Sequence, residues 1–222
     1  MVVLATKCYV DGDAQSRALD SLSSLVGNRI GELDVEYSVT LRDDGFPVVN
    51  LDGSDGTVAG NALAEQWGEI TPDLEPGQSA VGTLESWDDD GFVLDAGRDV
   101  WIPRDELGLG PGTGSQIRTR FGLVQHMPLS FVSDEPPRLS DAQRDVLYDW
   151  TRGDGRVNVN SATRAEVRAT VNRAGHAQDI VTVERLGLLE QSIVCKSDTD
   201  PPGLLASIGG YLPSELMCVV PR

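Results

Sequence analysis

Three short apolar runs between Val81 and Pro103 constrain the fold of this chain more than any other stretch. They span residues 81–87, 91–97 and 100–103, with Asp88-Asp89-Asp90 before Gly91 and with Gly97 as breaks. Runs of this length, separated by Asp-Gly and Gly signals, predict an antiparallel meander. So small a sheet hides its inner face by closing on itself. The stretch therefore reads as a five-stranded barrel of the OB type, with its last strand near residues 129–132.

The flanks read as α+β. In residues 1–70 a strand at 2–10 is followed by a helix with Ala18, Leu19, Leu22, Leu25 and Val26 on one face. Val35, Tyr37, Val39 and Leu41 then alternate with polar residues, as in a half-buried strand. Asp43-Asp44-Gly45-Phe46 turns the chain, 48–51 returns, and a second helix spans about 57–67. The string Asp89-Asp90-Gly91-Phe92 repeats that turn inside the barrel, so both are read as hairpin tips with glycine at positive φ. The order βαββα is most of a ferredoxin-like sandwich. Residues 71–77 and 133–137 are linkers by composition. Residues 139–222 open with a helix at 140–151. A strand at 156–160, a helix capped by Ser161, a hairpin (180–188 with 191–196), a helix opened by Pro201-Pro202 and a strand at 216–220 follow. That is βαββαβ, a complete ferredoxin-like order. The predicted layout is thus 1–70, a barrel at 78–133, and 139–222.

The formal net charge is −17, with 23 Asp and 12 Glu against 16 Arg and only two lysines, Lys7 and Lys196. That balance resembles proteins of salt-loving archaea, where a dense acidic surface keeps the chain soluble. On this reading the acidity reports the solvent and leaves nucleic acid open as a partner. Cys8, Cys195 and Cys218 are too scattered for a metal site and read as buried small hydrophobes in a reducing cytoplasm. The apolar start is too short for a leader, and no run approaches membrane-spanning length.

The meander resembles the S1 RNA-binding family. Its carriers are Gly82, then Gly91-Phe92-Val93-Leu94-Asp95-Ala96-Gly97, then Ile102-Pro103-Arg104-Asp105-Glu106-Leu107. Asp90 stands where that family carries an aromatic, one residue before Phe92 is missing, and strand three has no His. Two further strings, residues 156–164 and 179–190, are similar to an archaeal family known as domain-of-unknown-function family 2110. That resemblance implies an archaeal source and a three-part layout, and no activity.

Residues 138–196 carry nine Lys/Arg against eight Asp/Glu, while the rest of the chain carries nine against 27. The densest part is Arg152, Arg156, Arg164, Arg168 and Arg173, with Asn158, Asn160 and His176 nearby. Forked guanidiniums suit phosphates, but an acidic protein partner would match them too. Trp87, Phe92 and Trp101 are stacking platforms for unpaired bases or else barrel core, with Arg98 and Arg104 on adjoining turns. Asp88-Asp89-Asp90 reads as a solvated tip, and residues 108–114 as a connector rather than a phosphate loop. No nucleophile, metal or cofactor motif occurs. The expectation is a non-catalytic protein binding single-stranded RNA, or docking on a ribonucleoprotein or polymerase assembly.

Overall fold

The computed structural model describes residues 1–71 and 73–221. Pro72, in the first predicted linker, and Arg222 lie outside the described residues. The fold is mixed α+β, with three antiparallel sheets, the middle one a curled five-stranded half-barrel.

In the N-terminal unit, β1 (Val2–Val3), β2 (Glu36–Leu41) and β3 (Pro47–Asp52) pair in the order β1-β3-β2. Helices α1 (Gly12–Ile30) and α2 (Gly56–Trp67) cover one face. Ala18, Leu22, Val26 and Ile30 recur every four residues on α1, so burying that stripe against Val2, Leu4 and Val49 fixes the helix on the sheet. Residues 68–70 run along the free side of β1. Leu4 bridges Glu69, and the Ile70 N–H donates to the Val3 carbonyl at 2.9 Å. The strand expected over 2–10 is short because the chain leaves the sheet after Leu4 to carry Lys7 and Tyr9 to the other units.

The central unit holds β4 (Ser79–Trp87), β5 (Gly91–Asp95), β6 (Asp99–Pro103), β7 (Pro128–Val132) and β8 (Arg138–Leu139), ordered β6-β5-β4-β7-β8. Alternation sends Leu84, Phe92, Leu94, Val100 and Ile102 inward. No ladder joins β6 to β8 among the described residues, so the sheet curls without closing. The expected last strand, 129–132, is the fourth, and the predicted linker 133–137 is the connection to a fifth. Two helices were not foreseen, α3 (Arg104–Leu107) and α4 (Gly114–Phe121). Thr113 and Gln116 form a capping box on α4, and Ile117 and Phe121 face the core. Helix α5 (Asp141–Arg152) adds Leu147 and Trp150 to the same core.

The two Asp-Asp-Gly-Phe strings differ. Gly45 has φ +85°, as a tight turn needs, but Gly91 does not have a positive φ. Glycine is required at 91 because a Cβ would overlap the Ile102 carbonyl across the ladder.

The C-terminal unit is β9 (Arg156–Val159), α6 (Arg164–Arg173), β10 (Ile180–Arg185), β11 (Gln191–Cys195), α7 (Pro201–Ile208) and β12 (Leu216–Val219). The sheet order is β10-β11-β9-β12. Val157, Val159, Val183, Ile193 and Cys195 pack on Val167 and Val171 of α6 and Leu204 and Ile208 of α7. Thr163 rather than Ser161 caps α6, closing a capping box with Glu166, while Ser161 sits at φ +58°.

The units share cores. Leu188 and Leu189, at the β10–β11 tip, are buried in the N-terminal core. Ala5, Phe46 and Ile70 pack with Val81 of β4, and Val219 of β12 lies in the central core. Apolar surface shared in this way cannot be exposed one unit at a time without cost. Leu189→Ala should therefore lower stability by about 2–5 kcal/mol. Urea unfolding followed by tryptophan fluorescence and by circular dichroism should still superimpose in one transition. Separate transitions in the parent protein would contradict the shared core.

Candidate functional site

Most of the polar chemistry predicted for the C-terminal sheet is turned inward. Asn158 is fully buried, and its amide donates to the Gly122 carbonyl at 2.8 Å. Asn160 is also buried, donating to the Gln125 carbonyl at 3.2 Å and accepting from the Glu215 N–H at 2.8 Å. Arg156 pairs with Glu184 at 2.9 Å and stacks over Trp150. This face of the sheet lies on α4 and the loop after it, so Asn158 and Asn160 are structural ties and cannot reach a base. His176 bonds through both ring nitrogens, to Asp179 at 2.6 Å and Ser207 at 2.7 Å, tying the loop after α6 to α7.

The barrel aromatics divide by pleat. Phe92 is fully buried, which corrects its assignment as a stacking platform. Trp87 stands opposite Phe92 in register, at the rim of the core, with the Arg118 guanidinium 3.5 Å above its ring. That face is already occupied. Trp101, opposite Val93 on the outward face, is 40% exposed. Arg98 is exposed on the β5–β6 turn and has no ion pair among the described residues, whereas Arg104 pairs with its neighbour Asp105. In the aspartate run, Asp88 Oδ1 accepts from the N–H groups of Asp90 and Gly91, which is turn-holding work.

Other predicted arginines remain free. Arg168 and Arg173 on α6, and Arg152 at the end of α5, are exposed and form no ion pair among the described residues. Arg152 lies 5.4 Å from the Tyr148 ring. Arg164 donates its Nε to the Val183 carbonyl at 2.6 Å.

What the sequence reading missed is a buried polar joint where all three units meet. From the first unit, Lys7 bonds Asp95 at 2.7 Å and Glu85 at 3.0 Å. The Tyr9 hydroxyl donates to Glu190 at 2.5 Å and accepts from the Ser161 N–H at 2.9 Å. His126 stacks on Tyr9 with centroids 3.9 Å apart and meets Glu85 at 3.3 Å. His126 and Ser161 are the two non-glycine residues at positive φ among those described, and both adjoin Tyr9. Strain of this kind persists where surrounding contacts fix the backbone. Nearby, Arg118 pairs with Glu215, whose second oxygen accepts from the Gln125 N–H at 2.8 Å.

Glu190 is 0% exposed. Burial pushes its carboxyl up to about 8, against the pull of the Tyr9 hydroxyl and two backbone N–H groups, and the charge of Glu85 adds to the rise. A Cβ on Gly187 would overlap Glu190 Oε2, so only glycine leaves that oxygen room. Burial also works to raise Glu85, but hydrogen bonds from His126, Thr83 and Lys7 outweigh it and hold the carboxyl at about 2. One signal was available in the sequence: Glu190, Gln191 and Ser192 interrupt an apolar stretch between Leu186 and Val194.

The DUF2110 N-terminal, central and C-terminal domain models match residues 1–73, 74–151 and 154–220. The chain belongs to the DUF2110 family. No curated protein matches it. Both strings that carried the resemblance reach the joint, one through Ser161 and the other through its last residue, Glu190. No helix among the described residues is long and apolar enough to cross a membrane.

The two carboxyls set opposite pH dependences. Glu190 keeps its proton in the folded state up to about 8, while the unfolded chain releases it near 4.5. Stability from this group is therefore complete below 4.5 and lost as pH rises to about 8. The loss is roughly 3–5 kcal/mol. Glu85 acts the other way: its contribution is present above 4.5 and lost as pH falls toward 2. The thermal midpoint of the parent protein should fall from pH 5 to pH 8, and Glu190→Gln should flatten that slope. An unchanged slope in the variant would refute the assignment.

Proposed function

We propose that this protein is a non-catalytic binder of single-stranded RNA, serving translation, transcription or RNA processing in a salt-rich archaeal cytoplasm. The observation that carries the reading is Trp101, a large aromatic held 40% exposed on the outward face of the central sheet. Alternation on a strand whose neighbours Val100 and Ile102 are core forces that orientation.

Strand order supports the finer architecture. The order β10-β11-β9-β12, with α6 and α7 on one face, is that of a ferredoxin-like sandwich, and residues 68–70 with β1, β3 and β2 follow the same order. A meander, a helix and two more strands fit an S1/OB-like unit, whose second and third strands offer a ligand face. Trp101 and Val93 lie on the corresponding strands.

Electrostatics set the conditions. A chain of net charge −17 repels a polyanion at low salt. At molar salt the Debye length shrinks to about 3 Å, so that repulsion vanishes. Counterion release also contributes little there. Stacking, worth about 1–3 kcal/mol per base, then decides affinity. Binding of a short single-stranded RNA should hold steady or strengthen between about 0.5 M and 3 M KCl, opposite to the usual salt trend. Trp101→Ala should weaken it roughly 5- to 150-fold without changing the unfolding midpoint. No binding at micromolar protein in molar KCl, or full binding by the Trp101 variant, would overturn the reading.

One observation favours a second reading, a protein-docking adaptor. Strand β10 is the edge of its sheet, and Val181 on it is 59% exposed. A partner that survives nuclease treatment and is lost on Val181→Lys would support the adaptor.

A further inference from the structure

Where α6 and β10 meet the N-terminal unit, two guanidiniums share a corner and neither is paired with a carboxylate among the described residues. Arg164, the first residue of α6, spends Nε on the Val183 carbonyl, and its terminal amino groups have no partner among the described residues. Arg185 ends β10 two residues after core Val183, so it lies on the helix-covered side of the sheet. Its guanidinium sits 6.0 Å from the Trp67 ring and makes no hydrogen bond or ion pair among the described residues. The carboxylates nearest in sequence are committed. Glu166 binds Thr163 and Arg17, and Glu184, on the other face, holds Arg156. Burial depresses the pKa of Arg185, and the charge of Arg164 depresses it further. Under Arg185, the Trp67 indole N–H is buried and also lacks a partner among the described residues. Two half-buried like charges and an unmatched donor, in a chain with 35 carboxylates, leave this corner short of an anion.

We infer that Arg164 and Arg185 form an oxyanion subsite that takes one phosphate group. Resting on the RNA reading above, that phosphate belongs to the nucleic-acid backbone. Two planar forks match several phosphate oxygens at once, whereas chloride, a single point acceptor, cannot engage both fully. The subsite should therefore select phosphate even in concentrated chloride.

The test uses the whole protein in about 2 M KCl, where surface attraction is screened. Inorganic phosphate, at matched ionic strength, should raise the thermal midpoint along a saturating curve. Arg164→Gln, Arg185→Gln and Arg185→Lys should each abolish that response, the last retaining charge and losing only the fork. Arg168→Gln, on the exposed helix face, should keep it. No phosphate response in the parent protein, or an undiminished response in all three variants, overturns the subsite. In a second arm, Arg185→Lys should weaken a single-stranded RNA roughly tenfold or more. A phosphate response with RNA affinity unchanged by Arg185→Lys refutes the assignment to the backbone and marks a free-phosphate site. A phosphate response in a parent protein that binds no RNA would leave the subsite standing and sink the RNA reading.

Discussion

Tyr9 and Glu190 make the contact on which this architecture turns. A carboxyl with no exposure, paired with no cation among the described residues, is stable only when it keeps its proton. The Tyr9 hydroxyl donates to it and accepts from the Ser161 N–H, so one phenol fastens the first unit to two places on the third. His126 of the central unit packs on the same ring, tilted 35° to it. Leu188 and Leu189, beside Glu190, carry the β10–β11 tip into the N-terminal core, with the Leu188 N–H on Thr6. Apolar burial supplies the driving force there, and the tyrosine–glutamate bond sets the register.

This joint decides which surfaces stay open. The C-terminal sheet would offer its open face to a ligand, but that face is covered by the central unit, and its asparagines are used as ties. The surfaces left are outer ones: the outward pleat bearing Trp101, the exposed turn of α6, and the corner at Arg164 and Arg185. The chain is therefore a block whose interior polar groups hold units together and whose exterior bears the exposed aromatic and arginines on which the proposed RNA binding rests.

How much of this could be read from residues alone follows from the range of each interaction. Strand alternation and helix stripes are local, so the element order of both flanks and the three-strand meander were legible. The stop of the first strand at Val3, the fifth barrel strand at Arg138–Leu139 and the covered sheet face depend on contacts between distant segments, and no local pattern announces them. Helix α4 does carry a local signal, the Thr113–Gln116 box, but it directly follows a glycine-rich run whose composition is that of a connector. Among site residues, Trp101 and the free arginines of α6 lie on the surface, as a binding role requires. Phe92, Asn158 and Asn160 do not, since residue type alone cannot say which side of a pleat faces a neighbouring domain. Arg185 escaped notice because its significance lies in its nearness to Arg164, 21 positions away in the chain.

The central claim is that the Tyr9–Glu190 joint makes three units one cooperative body. Native-state hydrogen exchange at the Ser161 and Leu188 amides tests it most directly, since both donate into the joint from the C-terminal unit. The account predicts that, near pH 6, both exchange only at the free energy of global unfolding, and that Tyr9→Phe drops both together. Exchange of either amide through a low-energy local opening, with the N-terminal helices still protected, would contradict it.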